Sequence, residues 1–231
     1  SSATVNFTVV TLGIAGVDGC VYADKPGTGA AATATAGITS AVVRWVAPAI
    51  NGSALTSYIL TPFLGGVAQT PITYDTGTTS RTLTGLTAGS SYTFTIAAVN
   101  AYGTSTASPQ SVAVIPYNLP AAPTISAVAA RDSGVALTWT TPANNGSAIT
   151  GYVVTPYIGS TAQASQTFAG AATTQTAVGL TPGTAYTFTV AAINLAGTGP
   201  ASARSTAGTP NSSPSLAFPA PPAGEVGAAY S

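Results

Sequence analysis

The chain writes nearly the same sixteen residues twice: PAINGSALTSYILTPF, Pro48 to Phe63, and PANNGSAITGYVVTPY, Pro142 to Tyr157. The match runs well beyond this stretch. Trp45 and Trp139, Tyr58 and Tyr152, Leu86 and Leu180, Tyr92 and Tyr186, and Asn100 and Asn194 all stand 94 residues apart, with no gap between. Pro26 and Pro120 open the two copies, and Pro116 and Pro210 close them. A period this long exceeds the unit of a helical solenoid or a propeller blade and suits a small sandwich. The 231 residues are enough for two such domains, each burying its own core.

Within each copy the apolar residues alternate with a period of two. SYTFTIAAVN puts Tyr92, Phe94, Ile96 and Ala98 on one side and Thr93, Thr95 and Ala97 on the other. AYTFTVAAIN does the same with Tyr186, Phe188, Val190 and Ala192, as does GVALTW with Val135, Leu137 and Trp139. Such alternation predicts strands with one buried face, and Thr on the outer face favours strand over helix. Gly and Pro punctuate the pattern about every ten residues, and no useful 3.6-residue period appears. The chain reads as all-β.

A Trp in the second strand, a Tyr opening the third, and LTAGSSYTFTIAAVNAYGTS followed in the second copy by LTPGTAYTFTVAAINLAGTGPAS resemble the fibronectin type III domain. The resemblance spans Pro26 to Pro210 and implies two tandem immunoglobulin-like β-sandwiches, of the kind found in bacterial extracellular and surface proteins. It implies that Leu86 with Tyr92, and Leu180 with Tyr186, form the corner leading into the sixth strand. The Tyr hydroxyl there bonds nearby backbone while its ring packs inward. It further implies core positions for Trp45, Tyr58, Trp139 and Tyr152. Pro62 and Pro156 depart from the pattern. Since proline cannot donate a ladder bond, the third strand is expected to end or to reach an edge there.

The expected organisation is residues 1–25 as an N-terminal strand segment, 26–116 and 117–210 as the two repeats, and 211–231 as a C-terminal extension. Residues 1–25 match neither copy, yet Val5, Phe7, Val9 and Leu12 mark an apolar strand. Twenty-odd residues cannot bury a core alone. That strand therefore ends an upstream domain, adds to the first repeat, or is donated to a neighbouring chain. The C-terminal PSLAFPAPPAGEVGAAYS resembles the start of a bacterial immunoglobulin-like domain. Pro116, Pro120 and Pro123 make the linker short and stiff.

Composition bounds the chemistry. Only ten residues are charged, 4% of the chain, and they sum to zero, where about 25% is usual. A neutral, Thr-rich surface offers no handle for nucleic acid. No apolar run is long enough to span a bilayer. There is no histidine and one cysteine, Cys20, which removes an intrachain disulfide and the metal sites built on paired Cys or on His. Cys20 reads as a small buried apolar residue or as a thiol that pairs with another chain. Asp18 and Asp24 flank it, and a plain polar junction is favoured there over a calcium ion, which takes six to eight oxygen ligands. With no methionine and no signal peptide the sequence reads as a mature or excised piece. No nucleophile elbow, phosphate loop or HExxH occurs, and the integrin-type Arg-Gly-Asp is absent. Asn6, Asn51, Asn145 and Asn211 begin glycosylation-type triplets. Tyr102 is the one exposed aromatic candidate on the inter-strand loops.

These features lead to an expectation of a non-enzymatic extracellular module, a rod-like segment or subunit of a prokaryotic surface filament or adhesin. It has no catalytic residue, cofactor or metal. Two alternatives stand beside it: a bacteriophage virion or tail decoration module, and a spacer or weak carbohydrate-binding region of a secreted polysaccharide hydrolase. The expected partners are other copies of the chain or neighbouring domains of a longer one, with carbohydrate or a host surface as outside contacts.

Overall fold

The computed structural model describes residues 23–212. Among them there are sixteen strands and no helix. The first copy contributes β1 (Thr33–Gly37), β2 (Ser40–Arg44), β3 (Leu55–Leu64), β4 (Val67–Ala68), β5 (Ile72–Asp75), β6 (Ser80–Thr84), β7 (Tyr92–Asn100) and β8 (Gly103–Thr104). The second contributes β9 (Thr124–Arg131), β10 (Gly134–Thr140), β11 (Gly151–Ile158), β12 (Thr161–Ala162), β13 (Gln166–Ala169), β14 (Thr174–Val178), β15 (Thr187–Asn194) and β16 (Gly197–Ala201). Each copy builds two sheets. The first pairs β1-β2-β6 and β4-β3-β7-β8, with β5 also on β3; the second pairs β14-β10-β9 and β12-β11-β15-β16, with β13 also on β11.

The period-two pattern places the cores. In the second copy Val135, Leu137 and Trp139 from β10 meet Tyr152 and Val154 from β11 and Phe188 and Val190 from β15, all buried. The paired register is the same in both copies: Tyr58 lies opposite Ala98 and Leu60 opposite Ile96, as Tyr152 lies opposite Ala192 and Val154 opposite Val190. Trp45 packs edge-on against Tyr58 at 5.3 Å between ring centres, and Trp139 against Tyr152 at 5.0 Å. Edge-to-face contact suits the ring quadrupoles. Trp45 sits one residue past the end of β2, with its N–H donated to Thr79, whereas Trp139 lies inside β10.

The prolines of the third strand correct the sequence expectation. Pro62 and Pro156 neither end the strand nor lie at a sheet edge, since β3 and β11 continue past them and are flanked on both sides. Each pairs across from a Phe, Pro62 with Phe94 and Pro156 with Phe188. Their carbonyls face the other neighbour and accept from Gln69 N–H and Gln163 N–H, both at 2.8 Å. In a strand the N and C=O of one residue point the same way. The missing donor therefore faces the side on which β4 gives way to β5, or β12 to β13, beyond the paired register of those strands. A proline inside a strand is tolerated because its partner breaks at that register.

Candidate functional site

The repeated sixteen residues form one pole of each sandwich. In both copies the Asn-Gly adopts positive φ, 46° and 79° at Asn51 and Gly52 and 50° and 89° at Asn145 and Gly146. Asn and Gly tolerate that conformation, which other residues resist. The turn then ties down the incoming chain. Asn51 Nδ2 donates to Lys25 O at 2.9 Å while Asp24 N–H donates to Asn51 O. Asn145 and Leu119 repeat the first bond at 2.7 Å, and Asn118 N–H repeats the second.

A second Asn closes each pole. The Asn100 amide donates to Asp24 O at 2.7 Å and Ile50 O at 3.3 Å, and its oxygen accepts Tyr102 N–H at 2.9 Å. Asn194 does the same with Asn118 O at 2.8 Å, Asn144 O at 2.9 Å and Ala196 N–H at 2.9 Å. Both side chains are buried. One amide thus holds three loops, and nothing is left over for chemistry. The pairing of Asn100 with Asn194 is visible in the sequence, but their clamping role is not.

The residues singled out in the sequence fall as follows. Trp45, Tyr58, Tyr92, Trp139, Tyr152, Leu180 and Tyr186 are buried, whereas Leu86 is only half-buried. At the corner of the second sandwich the Tyr186 hydroxyl accepts Thr181 N–H at 3.1 Å. Burial raises the Tyr58 phenol above its ordinary value. Tyr102 is exposed. Asp75 pairs with Arg81 at 2.9 Å, and Arg81 lies over the Tyr74 ring. Val5, Phe7, Val9, Leu12, Asp18 and Cys20 lie outside the described residues.

Sequence reading missed a ladder of serines beside β7. Ser105, Ser108 and Ser111 are buried, while the two residues between each pair face solvent. Their N–H groups donate to Ala98 O, Ile96 O and Phe94 O at 2.8–2.9 Å. Their hydroxyls accept Ala98, Ile96 and Phe94 N–H at 3.0–3.1 Å. Each hydroxyl stands where a strand carbonyl would be and passes its own proton to the next residue's carbonyl, as Ser108 does to Pro109 O. Three residues of this segment therefore span two of β7 at every step, a run of consecutive bulges. The rise is about 2.2 Å per residue against about 3.4 Å for a strand. Ser202 and Ser205 repeat the device against Val190 and Phe188. A bulged edge is a poor template for another strand. The three-residue spacing of Ser105, Ser108 and Ser111 was the available signal.

Among the described residues no group of three His, Cys, Asp or Glu could hold a metal. A cleft of about 380 Å³ in the second sandwich is lined by Pro156, Ile158, Gln163, Gln166, Leu180 and Tyr186, among others. Three of its polar side chains are already committed: Gln166 bonds both N–H and C=O of Val178, Gln163 bonds Thr161 O, and Ser165 bonds Thr155. On the nearby surface Arg204 stacks on Tyr157 at 3.9 Å while its guanidinium donates to Gly159 O. These contacts fasten the loops to one another.

Two immunoglobulin-like sandwiches with a Trp–Tyr core pair and a tyrosine corner define the class of protein. The chain belongs to the fibronectin type III domain family, whose profile matches residues 24–114 and 120–208. It is 41% identical over 130 residues to chitinase A1 of Niallia circulans, a match covering 53% of this chain and 18% of that one. It is 34% identical over 172 residues to endoglucanase B of Cellulomonas fimi, covering 69% of this chain and 16% of the relative. The chain therefore spans less than a fifth of either relative. The crystal structure of chicken CNTN1 FN1–FN3 domains aligns over 81% of this chain and 67% of that one, with TM-score 0.43 and 17% identity. Of the functions expected from sequence, the relatives favour the polysaccharide-hydrolase region over the surface filament or adhesin, and none supports the virion module. No helix among the described residues is long and apolar enough to cross a membrane.

Proposed function

We propose that this chain is a non-catalytic spacer from an extracellular polysaccharide-degrading protein, two fibronectin type III domains that hold other modules of the same polypeptide apart. The observation that carries the reading is the similarity to a chitinase and an endoglucanase of which the chain matches only a small part. Three features support a spacer over a binding module. The surface is nearly uncharged. Tyr102, the exposed loop aromatic, has Ala196 as its counterpart, and a flat polysaccharide needs a row of aromatics. Gln163, Ser165 and Gln166 of the cleft are bonded within the sandwich.

The test is incubation of the purified chain with insoluble chitin and cellulose, measuring both retention on the solid and release of reducing ends. The expected outcome is neither retention nor turnover. Saturable retention that a Tyr102→Ala change abolishes would convert the spacer into a carbohydrate-binding module, and turnover would refute the reading altogether.

A further inference from the structure

The two copies write the same four residues, NGSA, at Asn51 to Ala54 and at Asn145 to Ala148. A difference in the chemistry of the two Asn-Gly pairs must therefore come from what the fold and the preceding residue place around them. Each pair is the centre of a two-residue turn with both φ positive. Ser53 N–H closes the first turn on Ile50 O at 3.1 Å, and Ser147 N–H closes the second on Asn144 O at 3.3 Å. The turns part company at the glycine nitrogen. Gly146 N–H donates to Asn144 Oδ1 at 3.1 Å. Ile50 stands where Asn144 does and offers no such acceptor, and no other among the described residues takes the Gly52 N–H. Access differs too: Asn51 and Gly52 are exposed, whereas Asn145 and Gly146 are half-buried.

We propose that Asn51 is a site of spontaneous covalent modification, where the Gly52 nitrogen attacks the Asn51 side-chain amide and a cyclic imide opens to aspartate or isoaspartate. Gly52 N–H loses its proton and the nitrogen bonds to Asn51 Cγ. The Cγ–Nδ2 bond breaks, and Nδ2 leaves as ammonia with a proton replacing the bond it lost. Water then opens the imide at Cγ, which gives aspartate, or at the backbone carbonyl carbon, which gives isoaspartate with the chain routed through Cγ. Glycine has no Cβ to hinder the approach. The attack needs the deprotonated nitrogen, and a hydrogen bond donated by the N–H holds the proton on. Asn144 thus protects the second turn and Ile50 leaves the first unprotected. The change matters to the pole, because Asn51 Nδ2 donates to Lys25 O and a carboxylate can only accept. The tie to the incoming chain is lost in the first sandwich while the second keeps its own.

The experiment incubates the intact chain at mildly alkaline pH, digests it with trypsin and sequences the peptides by tandem mass spectrometry. Cleavage after Lys and Arg puts Asn51 in Trp45–Arg81 and Asn145 in Asp132–Arg204, so the two sites are read separately. Native Asn51 should convert at least about 5-fold faster than Asn145, the factor that one hydrogen bond of about 1 kcal/mol represents. In concentrated urea the two rates should come together. Ile50→Asn supplies the missing acceptor from an exposed position and should slow Asn51, while Asn144→Ile should speed Asn145. No conversion at Asn51, equal native rates, or an Asn51 rate unmoved by Ile50→Asn would overturn the proposal. A ratio that survives unchanged in urea would overturn it too, since the difference would then lie in the sequence and not in the turn.

Discussion

Replacing Asn194 by Ala removes the second sandwich's clamp, and the cost follows from the bonds it makes. Three are well formed: donation to Asn118 O at 2.8 Å and Asn144 O at 2.9 Å, and acceptance from Ala196 N–H at 2.9 Å. The contact to Ser147 O at 3.5 Å counts for little. At about 1 kcal/mol net for each good bond the loss is about 3 kcal/mol. With a urea slope of about 1.5 kcal/mol/M the midpoint falls by about 2 M. The assay is urea unfolding followed by Trp139 fluorescence in a Trp45→Phe background. Asn194→Asp sharpens the test. One carboxylate oxygen still accepts Ala196 N–H, but the other faces two carbonyls and repels them. The charged form is disfavoured, so the folded pKa of the introduced carboxyl rises above its unfolded value of about 3.9. A raised folded pKa means stability that is present below pH of about 4 and is lost as pH climbs through the folded value. Asn194→Asp should therefore be nearer wild type at pH 4 than at pH 8, while Asn194→Ala costs the same at both. A loss under about 1 kcal/mol for Ala, or no pH dependence for Asp, would refute the clamp.

Other outcomes follow from the same geometry. Ser108→Ala takes the hydroxyl from Ile96 N–H and orphans a buried donor, which should cost about 2 kcal/mol in thermal or urea unfolding. Tyr152 and Tyr186 should answer differently to Phe: the buried Tyr152 hydroxyl has no partner, so its removal should be neutral or stabilising. Loss of the Tyr186–Thr181 bond should cost about 1 kcal/mol, visible as a lower melting temperature. Burial raises the Tyr58 phenol above 10.0, so unfolded chains ionise first and stability drops as pH passes about 10 toward the folded value. Tyr58→Phe should flatten that alkaline decline in melting temperature.

What was legible in the sequence depended on how each feature is encoded. Period-two runs such as Tyr92 to Asn100 announce strands because side-chain direction alternates at every residue, and the 94-residue period exposed the duplication without any geometry. Pro62 misled because its tolerance depends on where the neighbouring strand breaks, a fact about residues 69–71 rather than about Pro62. The serine ladder stayed hidden for a related reason. A hydroxyl standing in for a strand carbonyl follows neither the helix period nor the strand period, and its three-residue spacing looks like low-complexity Ser and Thr until β7 is laid beside it. Asn100 and Asn194 were matched as a pair, yet their partners lie up to 76 residues away, beyond the reach of local pattern.

The central claim is that this chain is the inert part of a longer polysaccharide-degrading polypeptide. Its most direct test is to capture the native polypeptide with antibodies raised against residues 120–208 and to measure reducing-end release from chitin and cellulose by the captured material. The account predicts turnover by a polypeptide several times longer than 231 residues, none of it retained when the chain is expressed alone. A captured polypeptide that hydrolyses neither polymer, and that sediments as a filament, would contradict it.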